Sequence, residues 1–332
     1  MDTKSAEKTI SYPRLIPTIV AGFNTVTKNI SLIIFPIVLD LFLWLGPHLR
    51  LKTYLEPTIT NMGKLFSSLA QPEMNDLFTT SQQLWQEIIN RFNLFSSLRS
   101  LPVGIPSLIS SAGTIQTPFG NVLIFEMPSL GTILTAWLGI FCFGTVLGCL
   151  YFNELARSSD PSKPPFSLKE IGRQFLQSLI LFAALMTILI IIAIPTIILI
   201  SFMAVISPFL AQIVFFIVTL LLLWFLLPLF FSPHGIFIYQ QSAFTSLLTC
   251  LQVVRIFLPG ASMFILVSFL VYQGINLIWQ AAPETSWMTL VGIAGHAFIS
   301  TSLITASFIY YRGGIQWMQE KIKQRMNTAV KL

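Results

Sequence analysis

The chain has 332 residues, 54% of them hydrophobic and only 10% charged, with a mean hydropathy of +0.77 and a net charge of +6. A soluble domain carries roughly a quarter charged residues, and a chain this apolar cannot hide its surface in one aqueous core, so lipid is part of its solvent. The basic residues border hydrophobic runs instead of forming a basic face, which points to headgroups and topology rather than to nucleic acid.

The first 29 residues are polar at the start (MDTKSAEKTISYPR) and lack a signal-peptide core, so the first hydrophobic span is expected to act as an uncleaved anchor. Within them Tyr12, Leu15, Ile16, Ile19, Phe23 and Val26 recur every three or four residues, an amphipathic pattern suited to a membrane interface. Residues 30–46 form span one. Residues 50–128 form an external insertion with two helix-like stretches, Leu51–Leu69 and Leu77–Leu98, followed by the Pro/Gly-rich passage LPVGIPSLISSAGTIQTPFG. The insertion is expected to be a helical cap on the outer leaflet or on the bundle, too small for an independent domain.

Span two covers 130–152, and the linker SSDPSKPPFS (158–167) reads as an extended loop ending in a helix N-cap. Spans three and four fill 178–231, broken by a tight turn at Ser207-Pro208, with Pro195 expected to kink span three. An interfacial segment occupies 233–257, spans five and six occupy 258–311, and 312–332 is a basic tail. The expected fold is all-α, a polytopic transmembrane helix bundle of about six spans with interfacial amphipathic helices and an external helical insertion.

Two further patterns organise these elements. Amphipathic stretches precede spans one, three and five (Phe166, Leu168, Ile171 and Phe175 before the third; Phe244, Leu247, Leu248 and Leu251 before the fifth). They suggest an interfacial helix plus a hairpin used three times, although any linker before a span looks amphipathic. Placing the N-terminus inside puts 14 of the 19 Lys and Arg on the cytoplasmic side. The positive-inside rule then places both termini in the cytoplasm of a bacterial cell, across its inner membrane.

Several strings carry a likeness. GFNTVTKNISLIIFPIVLDLFLWLGPHL and NLFSSLRSLPVGIPSLI resemble an uncharacterised family of six-span bacterial membrane proteins of the Chloroflexi type. More loosely, LPLFFSPHGIFIYQQSAFTSLLTCLQVVR is similar to the membrane domain of some glycerophosphodiester phosphodiesterases. The interfacial-helix-plus-hairpin layout is shared, but no phosphodiesterase domain follows, so that activity does not carry over.

Chemistry-bearing residues are few. Asp40 is the one carboxylate well inside a span, where its charge costs a few kcal/mol on insertion scales and must face protein or water. It lies about 15 Å in from Ile30, or only about 9 Å from the outer end when counted back from Gly46-Pro47, and His296 lies about 13–14 Å into span six from outside, so the two could occupy similar depth and form a proton-responsive couple. The plainer alternative has Asp40 bonded to backbone or hydroxyl groups and His296 to Ser300 or a water. Gln273, Asn276 and Gln280 share one face of span five, either lining a cavity or bonding a neighbouring helix. Gly131, Thr135 and Gly139, then Gly144 and Gly148, give span two the small-residue spacing of close helix packing. His48 and His234 adjoin prolines at interfaces, where hydrated turn roles suffice.

Cys142, Cys149 and Cys250 lack metal or disulfide spacing, and one intramembrane His does not suffice for haem. No catalytic residue, cofactor or metal ligand is assigned, since no nucleotide-binding, metalloprotease or serine-hydrolase motif is present. Partners are the lipid bilayer and other membrane subunits. The chain reads as a permease-like carrier of a small or lipidic molecule, with a non-catalytic structural or accessory subunit of a larger complex as the alternative.

Overall fold

Hydrocarbon offers no water to backbone amides, so a chain of this composition must satisfy them within helices. The computed structural model describes residues 12–69, 75–109, 113, 116–160, 167–256 and 258–329, and it is a helical membrane protein as expected. Parts of the 158–167 linker, of the Pro/Gly-rich passage and of both termini lie outside the described residues.

The helices are α1 (Leu15–Lys28), α2 (Ile34–Leu45, led in by a 3-10 turn at Ile30–Ile33), α3 (Lys52–Leu69) and α4 (Asn75–Arg91). After a 3-10 turn at Leu94–Leu98 come α5 (Leu130–Ser159), α6 (Leu168–Ile206) and α7 (Pro208–Leu226). A 3-10 turn at Leu227–Phe231 leads to α8 (Ser232–Ile238), α9 (Ala243–Ile256), α10 (Leu258–Trp279) and α11 (Met288–Ala329). Among the described residues, four short strands lie in or at the start of the insertion. β1 (His48–Arg50) pairs in parallel with β4 (Ile124–Glu126), placing His48 opposite Ile124, and β2 (Gln116–Thr117) pairs antiparallel with β3 (Gly120–Asn121).

Among the described residues α5, α6, α10 and α11 are each long and apolar enough to cross a membrane, and the bent pair α1–α2 makes a fifth candidate if counted as one span. The apolar run at 209–231 is divided between α7 and the 3-10 turn that follows it, and the described apolar part of α7 is shorter than a span. The expected turn at Ser207 is present: its backbone is extended and closes α6 one residue before Pro208 starts α7. α6 continues through Pro195 as one helix.

The interfacial stretch expected before span three is not a separate helix. It forms the first turns of α6, because Ser167 caps the start by accepting from Glu170 N (3.2 Å) and no proline intervenes before Pro195. α1 is amphipathic in the membrane sense: it buries Thr18, Gly22 and Val26 and exposes Ile16 and Val20. None of the most apolar stretch of α6 is buried by the rest of the chain, which only lipid or another protein tolerates.

By contacts the chain divides into two compact units. One comprises Met1–Asn29, Phe152–Val271 and Ser302–Leu332; the other comprises Ile30–Tyr151 and Tyr272–Thr301. The first has an aromatic-rich core around Phe231, Phe264, Tyr310 and Tyr311, with Cys250 and Val254. The second contains the insertion, α2 and most of the residues singled out from sequence.

Candidate functional site

α2 is apolar on two faces, and its inward face carries Pro36, Leu39, Asp40, Leu43 and Trp44. Asp40 is fully buried. A buried carboxylate needs donors for its oxygens, and here they come from the Pro/Gly-rich passage of the insertion. Ser107 Oγ donates to Oδ1 at 2.5 Å, Ile109 N to Oδ1 at 3.2 Å, and Leu108 N to Oδ2 at 3.0 Å. Asp40 therefore anchors an irregular segment by its amides, as an N-cap side chain anchors the first turn of a helix.

That segment is not a surface loop. Val103, Ile105, Ser107 and Leu108 are all buried, and Ser100 closes a local turn by donating to Val103 O at 2.7 Å. Two glycines of α5 admit it. A Cβ on Gly144 would stand 2.4 Å from Leu98 O, and one on Gly148 would stand 2.3 Å from Val103 O. The Gly144–Gly148 spacing thus receives the bare backbone of the insertion, where close packing against another helix, of this chain or of a partner, was expected. At Gly139 a Cβ would meet nothing within 4 Å.

His296 on α11 is also buried, with Nδ1 3.8 Å from Asp40 Oδ2. The two residues expected to lie at similar depth are neighbours, but at a distance longer than a hydrogen bond. The other ring nitrogen, Nε2, is 3.4 Å from Tyr272 OH on α10. Ser300 Oγ donates to the backbone oxygen of His296 (2.6 Å), not to its ring. The arrangement Tyr272–His296–Asp40–Ser107 places four polar side chains in sequence inside the second unit.

Gln273 and Asn276 are not part of it. Gln273 and Gln280 face outward while Asn276 is buried, so the stripe divides between a surface and an interior. Among the described residues no hydrogen bond joins Gln273 or Asn276 to Asp40 or His296.

His48 and His234 correct the hydrated-turn expectation, since both are buried. His48 Nε2 donates to Leu43 O at 3.2 Å, tying β1 to the end of α2, and burial lowers its pKa below the ordinary histidine value. His234, on α8 in the first unit, is pushed down to about 3 by burial. Its ring packs against Phe308 (4.4 Å between centroids), Phe231 and Tyr311. Its Nε2 is 2.7 Å from Ser307 Oγ. The Ser307 hydroxyl also lies 2.6 Å from Ile304 O, the carbonyl one turn earlier, to which it donates. Serine and histidine here are a packed structural pair.

The insertion is tied down near the end of α2 by other polar contacts. Trp44 Nε1 donates to Glu284 O (3.0 Å), Arg91 pairs with Glu284 (3.1 Å), and Asn93 Oδ1 accepts from both Leu49 N and Phe95 N (3.1 Å each). The sequence signal for the buried passage was the absence of any charged residue between Arg99 and Glu126. Among the described residues no group of three or more His, Cys, Asp or Glu is placed to hold a metal ion. Compared with family models, with curated proteins and with solved structures, the chain finds no match.

Proposed function

We propose that this multi-pass membrane protein is a non-catalytic structural or accessory subunit of a larger membrane complex. The observation that carries the reading is the state of Asp40. Three of the roughly four acceptor positions of a carboxylate are taken by Ser107, Leu108 and Ile109, so the group serves to hold the insertion in place. A transport carboxylate must instead exchange partners with ion or solute. The apolar stretch of α6, none of which the rest of the chain buries, supports the same reading by offering surface to lipid and partner helices alike.

One observation favours the second reading, a permease-like carrier. His296 lies 3.8 Å from Asp40, and an imidazole that gains a proton there would draw the carboxylate away from the insertion. On either reading the protein sits in the inner membrane of a bacterium with both termini cytoplasmic, as the distribution of Lys and Arg supports.

The test is mild solubilisation from the native membrane followed by affinity purification. Other membrane subunits retained in stoichiometric amount are the expected result. A bound small molecule or lipid without protein partners would favour the carrier.

A further inference from the structure

The end of α4 is fixed beside a lipid-facing helix. Arg91 holds Glu284, Asn93 holds Leu49, and Phe95 packs edge-on against Phe42 of α2 with ring centroids 5.1 Å apart. Phe42 belongs to the outward stripe Ile34, Val38, Phe42 and Leu45 of α2, the surface that lipid covers in an apolar span. The insertion therefore returns from α4 at the level where that stripe ends.

α4 itself exposes a second apolar stripe. Leu84, Trp85 and Ile88, with Phe92 just past its last turn, are exposed by 57%, 52%, 52% and 38%. At 100° per residue they fall within an arc of about 100°. Ile89 is buried, while Gln83 and Glu87 are exposed on a different side. A helix with one aliphatic and Trp-bearing face, and a polar opposite face, is built to lie in a membrane interface.

We propose that α4 lies in the bilayer interface, with Leu84, Trp85, Ile88 and Phe92 covered by phospholipid acyl chains that are continuous with those around α2. The occupant is the acyl boundary rather than an anionic headgroup, because the only charges of α4 are Asp76, Glu87 and Arg91. Association of this helix with the bilayer is accordingly independent of anionic lipid and of salt. The consequence is a belt: the insertion rides on the membrane surface and leaves Gln83 and Glu87 toward water.

The experiment places nitroxide labels through Leu84→Cys, Ile88→Cys, Gln83→Cys and Glu87→Cys, one at a time, in the full chain carrying Cys142→Ala. Cys149 and Cys250 are fully buried, and a sample with no added cysteine measures any labelling of them. The protein is reconstituted in phosphatidylcholine nanodiscs, and the elution profile of each variant confirms that it folds. Collision rates with oxygen, which partitions into lipid, and with a water-soluble nickel chelate are compared. The expected result is a ratio shifted toward oxygen at 84 and 88 and toward nickel at 83 and 87. Nickel access at 84 and 88 equal to that at 83 would overturn the proposal by putting the stripe in water. Access to neither reagent at 84 and 88 would overturn it by showing protein rather than lipid on that face.

Discussion

Ser107 Oγ donates to Asp40 Oδ1 at 2.5 Å, joining a residue of the insertion to a carboxylate buried on α2, 67 positions earlier in the chain. With the amides of Leu108 and Ile109 on the same carboxylate, this contact decides how the second unit is built. Removing it has a definite consequence. Asp40→Ala removes the acceptor that Ser107 Oγ and the amides of Leu108 and Ile109 share, each lost bond costing about 1–3 kcal/mol. Thermal unfolding in detergent should show a loss larger than that of Ser107→Ala, which removes one donor and leaves Asp40 bonded to the two amides.

The glycines of α5 give a paired comparison. Gly148→Ala puts a methyl group where Val103 O stands 2.3 Å away, so helix and passage must separate, at a cost of about 1–3 kcal/mol. Gly139→Ala on the same helix meets nothing within 4 Å, and should be neutral or stabilising by about 0.5–1 kcal/mol through helix propensity. Unfolding temperatures of the two variants under identical conditions check the ordering.

Acid should weaken the first unit through His234. Its pKa in the folded protein is about 3, below the ordinary histidine value of 6.5, because burial opposes the charge. The unfolded chain therefore binds the proton first, and stability, complete above pH 6.5, falls as the pH drops toward 3. At pH 4.5 the loss from this residue is about 2–3 kcal/mol. His48, also lowered by burial, adds loss in the same direction. Melting curves between pH 7.5 and 4.5 should show the decline, and His234→Asn should flatten it.

The Arg91–Glu284 ion pair is partly exposed, with side chains 41% and 34% accessible. Screening by water limits it to about 0–1 kcal/mol. Glu284→Gln should leave global stability nearly unchanged, yet increase proteolytic nicking near the end of α4, because the ion pair that leads out of α4 is lost while the one to Glu87 stays within it.

Much of the architecture was legible because lipid imposes simple rules. α10 begins and ends where its apolar run does, and Ser167 caps α6 where its serine predicts a start. Counting along two helices allowed Asp40 and His296 to occupy similar depth, and their side chains are 3.8 Å apart. What periodicity could not show is irregular backbone inside the bundle. The passage around Ser107 has neither a helical nor a strand repeat, and its burial depends on two glycines of α5 and one carboxylate of α2 that are distant in sequence. For the same reason Gly144 and Gly148 suggested close contact with another helix rather than with irregular backbone. His234 misled because proline next to histidine marks a turn, whereas here Pro233 and His234 open the short helix α8 and the histidine ring is enclosed by Phe231, Phe308 and Tyr311.

The central claim is that Asp40 serves as a clamp on the insertion rather than as an exchangeable transport group. Hydrogen exchange of the amides of Leu108 and Ile109, followed by mass spectrometry on nanodisc-embedded protein, tests it most directly. Slow exchange in the wild type and a marked gain in Asp40→Ala, with the peptides of α10 unchanged, is the expected result. Rapid exchange at Leu108 and Ile109 in the wild type, or no change on removing Asp40, would contradict it.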